Sequence, residues 1–463
     1  MAVSRMQSVR AAGGAREAAS LDELRSRLRG SVVLPGEADY DDARRVFNAM
    51  IDRKPAAIAR CARTEDVVEA VRFARRTGLP LTVRGGGHGV AGNCVRDGAL
   101  MIDLSGMTSI EVDPVARIAR VQGGVRLGQF ITTTEQYGLV SPTGTVSDTG
   151  IAGLTLGAGF GYLCGKFGLA IDNLVGAEVV TAEGQVLHAS VDSHPDLFWA
   201  LRGGSGNFGV VTRFDLALHP VTQVLGGLLV YPFSRAREVL RMYRNAAAAA
   251  PDELTLYAAM LTGPDGHKVV GIVPCWCGPL DEGERELAPI RAFGPPVADL
   301  VRPMPYSEMN TLVDASAPPG LRDYWKQTLL RELSDAAIET FVDAFEHVPS
   351  GRTVVLIDHV HGAAHRVSPS ATAFPHRDAP HSLVLLSMWN DPADDERNIA
   401  WTRELAAAAH PYATGGVYVN EPLDEKPRSA FGENTDRLAE IKRRYDPENL
   451  FRSNLNFAPA PAP

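Results

Sequence analysis

Apolar residues recur along this chain at two spacings, and the switch between them separates helix from strand. In residues 64–76, Val67, Val68, Val71 and Ala74 share one face of a 3.6-residue repeat that starts polar and stops at Gly78, so the spacing predicts a capped helix. Short apolar runs flank it at 55–61 and 81–83 and read as strands, as do 99–104 and 118–121. Upstream, Leu21, Leu24 and Leu28 follow helical spacing behind Ser20, with Glu23 at the capping-box position and Gly30 as the stop. Residues 38–48 predict a second amphipathic helix, and 123–128 open a third that runs to about residue 137. A hairpin is expected over 177–187 with its turn at Glu183-Gly184, then a short helix over 195–201 in which Trp199 packs into the core.

The pattern changes near Asp215. Helices are expected at 235–250, 284–293, 334–345 and 392–408, and strands at 255–260, 268–273, 353–358 and 383–388. This alternation suits an antiparallel sheet covered by helices, an α+β arrangement distinct from the first 214 residues.

Length and charge narrow the picture. The 463 residues suffice for two substantial domains, and 45% apolar with 22% charged residues is ordinary globular composition. The net charge of −9 carries no long basic block, which argues against a nucleic-acid footprint or a polybasic membrane patch. No run approaches the length of a membrane-spanning helix. Residues 1–20 hold no signal-peptide core and read as a disordered leader, with an organellar address or an expression remnant as alternatives. The five cysteines form no disulfide framework, and Cys275-Trp276-Cys277 is too tight for a zinc knuckle; free thiols in a reducing cytoplasm are the expectation.

Candidate chemistry concentrates in two glycine-rich segments. Arg84-Gly85-Gly86-Gly87-His88-Gly89 follows a strand, so its backbone amides are available to an anionic group, and His88 is either a polar loop residue or a reactive one. Gly150, Gly153, Gly157, Gly159 and Gly161 then place five glycines in twelve positions, which weakens ordinary helix or strand and lets backbone approach something large and flat or anionic. Together with Gly165-Lys166-Phe167-Gly168 through Asp172-Asn173, Arg202-Gly203-Gly204 through Gly209-Val210, and Tyr445-Asp446-Pro447 through Asn454-Leu455-Asn456, these segments resemble the flavoenzymes of the vanillyl-alcohol oxidase and p-cresol methylhydroxylase type. Within them the chain is similar to the berberine bridge enzyme-like oxidases, nearest in pattern to polyketide-tailoring members, over residues 34–457.

The resemblance implies a two-subdomain FAD-binding domain over 21–214, a substrate domain over 215–428 and a C-terminal return to the first domain over 429–463. It implies FAD bonded through a His88 ring nitrogen to the methyl carbon at the flavin 8 position. Arg84, Gly85, Gly86, Gly87, Gly89, Thr145, Thr149, Gly150, Gly153 and Gly159 would surround the cofactor, with Asp172, Asn173, Gly209, Val210, Asn454 and Asn456 as further contacts. The cysteine that forms a second flavin link in many relatives falls at Val146, so single attachment is expected. Thr149 matches an oxygen-pocket threonine or simply caps its loop, and Asp172 either contacts the dinucleotide or caps a turn.

For catalysis, Tyr418-Val419-Asn420 matches a tyrosine, any residue, asparagine motif whose tyrosine takes a substrate proton; such a phenol needs hydrogen-bonding or positive neighbours to act at neutral pH. On the strand at 353–358, alternation puts Leu356 and Asp358 on one face and Ile357, His359 and His361 on the other. The glutamate of some polyketide-tailoring relatives falls at Leu356, and Asp358 would replace it. His359 and His361 lack a convergent third ligand, so no metal is expected. The implied activity is oxidation of an alcohol, hemiacetal or enolisable carbon in a small metabolite, with molecular oxygen reduced to hydrogen peroxide, by a monomer or homodimer. A sugar oxidase and a flavin-binding cyclase-like enzyme without net redox turnover are the alternatives. A nicotinamide dehydrogenase is disfavoured because the His88 loop lacks the dinucleotide spacing.

Overall fold

The computed structural model describes residues 21–420 and 427–461; residues 1–20, expected to be a leader, lie outside them. Strands β1 (Ser31–Val33), β2 (Ala57–Arg60), β3 (Leu81–Arg84) and β4 (Leu100–Asp103) form a sheet in the order β1-β2-β4-β3. β2 and β3 both run parallel to β4, as a strand-helix-strand crossover requires, and β1 is antiparallel at the edge. The crossover helix Thr64–Thr77 buries Val67, Ala70, Val71 and Ala74 and ends at Gly78 in the left-handed region, φ 73°. β3 therefore delivers the chain directly into the His88 loop.

A second sheet contains β5 (Ile110–Asp113), β6 (Ile118–Gln122), β8 (Leu174–Val180), β9 (Val186–Ser190) and β10 (Val210–Ala217), antiparallel in the order β5-β6-β10-β8-β9; β7 (Leu139–Val140) and β11 (His219–Pro220) pair separately. The third sheet is larger. It joins β12 (Val224–Gly226), β13 (Leu229–Pro232), β14 (Leu254–Thr262), β15 (Lys268–Trp276), β16 (Ala298–Asp299), β17 (Arg302–Met304), β18 (Arg322–Leu330), β19 (Val354–His359) and β20 (His381–Trp389), with central order β13-β15-β14-β19-β20-β18. All its pairings are antiparallel. Helices Ala236–Ala249 and Asp335–Glu346 bury Val239, Leu240, Ile338, Phe341 and Phe345 in one cluster with Leu256, Met260, Val355, Ile357, Leu383 and Leu385 of the sheet. The alternate residues on the same strands face away from the helices, and they build the site described below.

The C-terminal helix Thr435–Tyr445 packs on helix Pro195–Leu201 of the first half. Its buried Lys442 donates to Asp446 Oδ2 (2.7 Å) and to the carbonyls of Asn207 (2.6 Å) and Phe451 (2.6 Å). A buried ammonium is tolerable only with such a complete set of acceptors. The set fixes where residues 452–456 emerge.

Four expectations need correction. The helix expected over 38–48 spans only Tyr40–Arg44, because Phe47 N–H is taken by the Gly87 carbonyl (3.1 Å) and Asn48 bonds to β18. The helix expected from 123 begins at Leu127: Gly123 and Gly124 N–H donate instead to the carbonyls of Thr212 and Met107, both at 3.0 Å. The helix expected from 284 starts at Leu280, behind Pro279 and with Asp281 and Glu282 in its first turn. Finally, the glycine-dense segment does form a short helix, Ile151–Gly157, and β18 has no counterpart among the expected strands. Among the described residues no helix is long and apolar enough to cross a membrane.

Candidate active site

The two glycine segments lie against each other. A Cβ on Gly86 would stand 2.5 Å from both the Cα and the N of Gly150, so only glycine permits this backbone approach. Gly87 turns the loop at φ 71°. The Arg84 guanidinium does not enter the cavity; it pairs with Asp103 (Nε–Oδ1 3.1 Å) and donates to the Ala43 carbonyl (2.6 Å), tying β3 to β4 and to the segment leading to Phe47.

Beyond the loops lies a cavity of about 380 Å³. One wall is backbone-rich, with Gly85 through Ala91, Gly144 through Val146, Thr149, Gly150, Gly153, Ser205, Asn454 and Leu455. The facing wall is the third sheet, which presents Ala259, Leu261, Val273, Val354, Leu356, Val384 and Leu386 together with Tyr257, Trp325 and Asp358. Asp358 is the one carboxylate among the described lining residues, and it shares its strand face with Leu356 as the alternation requires. Ser147 anchors the nearby loop through Asp314, which accepts from its N–H (2.9 Å) and its hydroxyl (2.5 Å).

His88 is held by aromatic neighbours. Its ring stacks on Phe47 at 4.1 Å and 25°, with Trp325 edge-on at 6.4 Å. Its Nε2 is buried and has no hydrogen-bond partner among the described residues. Burial lowers its pKa to about 4, so the imidazole is neutral at physiological pH and keeps a nucleophilic lone pair.

Tyr418 enters from the other end, stacked on Phe160 at 4.4 Å. Its phenol oxygen accepts from Asn420 Nδ2 (2.8 Å) and from Gly159 N–H (3.1 Å), and Gln327 Oε1 accepts from its backbone N–H (2.9 Å). Asn420 also donates to the Leu154 carbonyl (3.1 Å), and a side chain at position 157 would strike its amide. The tyrosine, the asparagine and the short glycine helix thus form one unit. Two N–H donors converging on one oxygen favour negative charge there.

Several residues expected around the cofactor do not line this cavity. Asp172 accepts from Leu169 N–H (2.8 Å) and pairs with buried Arg377 through both oxygens at 2.8 Å, as a turn cap would. Asn173 donates to the Phe167 and Leu169 carbonyls, both at 2.9 Å, and bonds His219 through Oδ1. Val210 pairs with Val180 inside the second sheet, beside Gly209. These four, like Arg84, Gly159 and Asn456, are not among the residues that wall the cavity. Conversely, Phe47, Phe160, Tyr257, Trp325 and Gln327 were not among the expected site residues. The signal for Trp325 was its aromatic pair with Tyr324 following the Gly320 turn.

The features fit a flavin dinucleotide: an unpartnered buried nitrogen on His88, backbone-lined segments that a Cβ would obstruct, and an apolar facing wall. The comparisons with known proteins agree. Residues 55–190 match the FAD binding domain family and residues 417–457 match the berberine and berberine-like family. An uncharacterized FAD-linked oxidoreductase of Bacillus subtilis, YgaK, is 33% identical over 94% of this chain and 98% of its own length. The crystal structure of 6-hydroxy-D-nicotine oxidase from Arthrobacter nicotinovorans is 30% identical, covers 94% of this chain and 98% of that one, and superimposes with a TM-score of 0.86. A xylooligosaccharide oxidase from Myceliophthora thermophila, solved with xylobiose, is 26% identical over 96% of this chain and 100% of that one, with a TM-score of 0.83. The chain belongs to the berberine bridge enzyme-like family and is an FAD-linked oxidoreductase.

Proposed function

We propose that this protein is an FAD-dependent oxidase of a small, mostly apolar metabolite, aromatic or polyketide-derived, acting on an alcohol, hemiacetal or enolisable carbon. The observation that carries the substrate class is the facing wall, where aliphatic side chains from four strands surround Asp358, the one carboxylate among the described lining residues. Such a surface binds a flat apolar body and leaves one polar contact to orient it.

His88 would hold FAD through a single covalent bond, its neutral ring supplying the nucleophilic nitrogen; Val146, at the position of a second linking residue, offers no thiol. Gly85, Gly86, Gly87, Gly89, Gly150 and Gly153 offer backbone, and Thr145 and Asn454 offer polar groups. Bound FAD supplies the two-electron acceptor, and oxygen regenerates it with release of hydrogen peroxide. Tyr418, as the phenolate that the Asn420 and Gly159 N–H groups stabilise, takes the proton of the reacting hydroxyl or C–H group and becomes the phenol. Asp358 orients the substrate from the opposite wall, Thr149 borders the space for oxygen, and the aliphatic residues exclude water.

The sugar-oxidase reading draws on the likeness to the xylooligosaccharide oxidase, but the aliphatic wall offers few partners for a row of hydroxyl groups. The test is intact mass with the absorbance of acid-denatured protein, followed by oxygen consumption with aromatic alcohols and with oligosaccharides. A yellow pellet carrying one FAD on the His88 peptide and turnover of aromatic alcohols is the expected result. A colourless pellet would remove the covalent bond, and turnover confined to oligosaccharides would replace the substrate class.

A further inference from the structure

A carboxyl group lies buried behind His88, and none of the proposed chemistry uses it. Asp323, on β18, is 1% exposed. Its Oδ1 accepts from the indole N–H of Trp325 (3.1 Å), while its Oδ2 is buried with no hydrogen-bond partner among the described residues. Enclosing a carboxyl that is only half satisfied costs stability. An isosteric amide would hold the indole without that charge.

The surroundings show what the group holds. The Asp323 backbone is clamped by Asn48, which accepts from its N–H (3.1 Å) and donates to its carbonyl (2.9 Å). The same Asn48 amide donates to the Val90 carbonyl (2.9 Å), two residues beyond His88. Phe47, next to Asn48, stacks on the His88 ring, and Trp325 meets Phe47 edge-on at 5.7 Å and 72°. Asp323, Trp325, His88, Phe47 and Asn48 therefore close a circuit of contacts around the imidazole.

We propose that Asp323 is a positioning residue of the flavin site, which through the Trp325 indole N–H fixes the aromatic wall that sets the orientation of His88.

The circuit responds to pH. Burial pushes the Asp323 carboxyl up to about 7, against the opposing pull of the indole hydrogen bond. Of the other groups in the circuit only His88 titrates, and it stays neutral down to about 4. The neighbouring Arg322 is committed to Asp395, and the residue opposite Asp323 on β20 is Met388. An ionised carboxylate holds an N–H more strongly than a protonated one. Trp325 is thus clamped firmly above neutrality and more loosely below it.

The inference rests on His88 being the attachment point, so its test reads the indole separately from the covalent bond. In ¹⁵N-tryptophan-labelled holoenzyme, with the Trp325 resonance assigned by Trp325→Phe, the indole signal is expected to titrate with a midpoint of about 7. Asp323→Asn is expected to abolish that titration while preserving covalent loading. Asp323→Leu leaves the indole without its acceptor, and the covalently loaded fraction should fall about threefold or more, because small misplacements of a reacting group are costly. If Asp323→Leu does not fold, Trp325→Phe carries the same loading test. Three results would overturn the inference: an indole signal that does not move, one that moves identically in Asp323→Asn, or full loading in both Asp323→Leu and Trp325→Phe. Non-covalent FAD in the wild type would overturn the His88 attachment instead, while the indole titration would still decide the role of Asp323.

Discussion

Strand β19 has two faces with opposite chemistry. Toward the cavity it presents Val354, Leu356 and Asp358. Toward the helices, and just past its end, it presents His359 and His361, which join His365 and His381 around a second cavity of about 580 Å³. The histidine face holds more titratable groups, yet it is the poorer candidate for chemistry. His359 and His361 stack on each other at 3.9 Å, His361 bonds Thr255, His381 bonds Tyr243, and His365 bonds the Ala379 carbonyl. Burial lowers the pKa of every one of them, to about 4 for His361 and His381, so they pack as neutral rings. Among the described residues no group of three or more side chains is arranged to hold a metal ion. The other face has a single carboxylate, but it is set in an aliphatic wall opposite glycine backbone and Tyr418. Convergence on a shared space, more than the number of reactive side chains, marks a site.

The largest effect is expected where that convergence is tightest. Tyr418→Phe should lower kcat by about 10²–10³ with flavin content unchanged, since it removes the proton acceptor and leaves the stacking on Phe160. Steady-state oxygen consumption with flavin quantified by absorbance checks this, and activity within about twofold of wild type would dismiss Tyr418 as the base. Paired substitutions on β19 contrast its two faces directly. Asp358→Leu should lower kcat/KM by about 10–100-fold, consistent with loss of an orienting polar contact, while His359→Phe should leave it within about twofold. Equal losses from both would erase the distinction between the faces.

A structural effect comes next. In Gly86→Ala the new methyl meets the Gly150 backbone, which cannot turn aside as a side chain would, so about 1–3 kcal/mol of stability should be lost along with part of the bound flavin. Chemical denaturation and the flavin-to-protein absorbance ratio measure the two losses. Gly89→Ala, where a Cβ meets no protein atom within 4 Å, is the matched control for the stability loss.

The sequence revealed backbone requirements better than side-chain partners. Gly86 and Gly150 stood out because glycine density has no cheap alternative explanation, and the period-two pattern of residues 353–358 separated Leu356 and Asp358 from His359 correctly. Phe47 was hidden in an apparent amphipathic helix, since its partner His88 is distant in sequence and only the fold reveals the stack. β18 was hidden by composition: Arg322, Asp323, Lys326 and Gln327 make it read as polar, although Asp323 and Gln327 are buried against Trp325 and Ser382. For Asp172 the sequence left a dinucleotide contact and a turn cap both open, and its ion pair with Arg377, far along the chain, could be seen only in the fold.

The smallest effect separates the two kinds of buried titratable group by sign. His361 and His381 have folded pKa values of about 4, below the ordinary 6.5, so the stability they contribute is complete above about 6.5 and is lost as pH falls toward 4. Asp323 is raised from 3.8 to about 7, so its contribution is complete below 3.8 and is lost as pH rises through 7. His361→Gln should therefore flatten the acid-side fall in melting temperature between pH 6.5 and 5, by about 1 kcal/mol of stability at pH 5.5. Asp323→Asn should act oppositely, removing a destabilisation that grows between pH 4 and 7, so its advantage over wild type increases with pH. Melting curves of the three proteins across this range supply the comparison. Parallel displacement of all three, with no change of slope, would mean that these groups have the same proton affinity folded and unfolded, and the contrast between neutral packing imidazoles and a strained carboxyl behind His88 would fail.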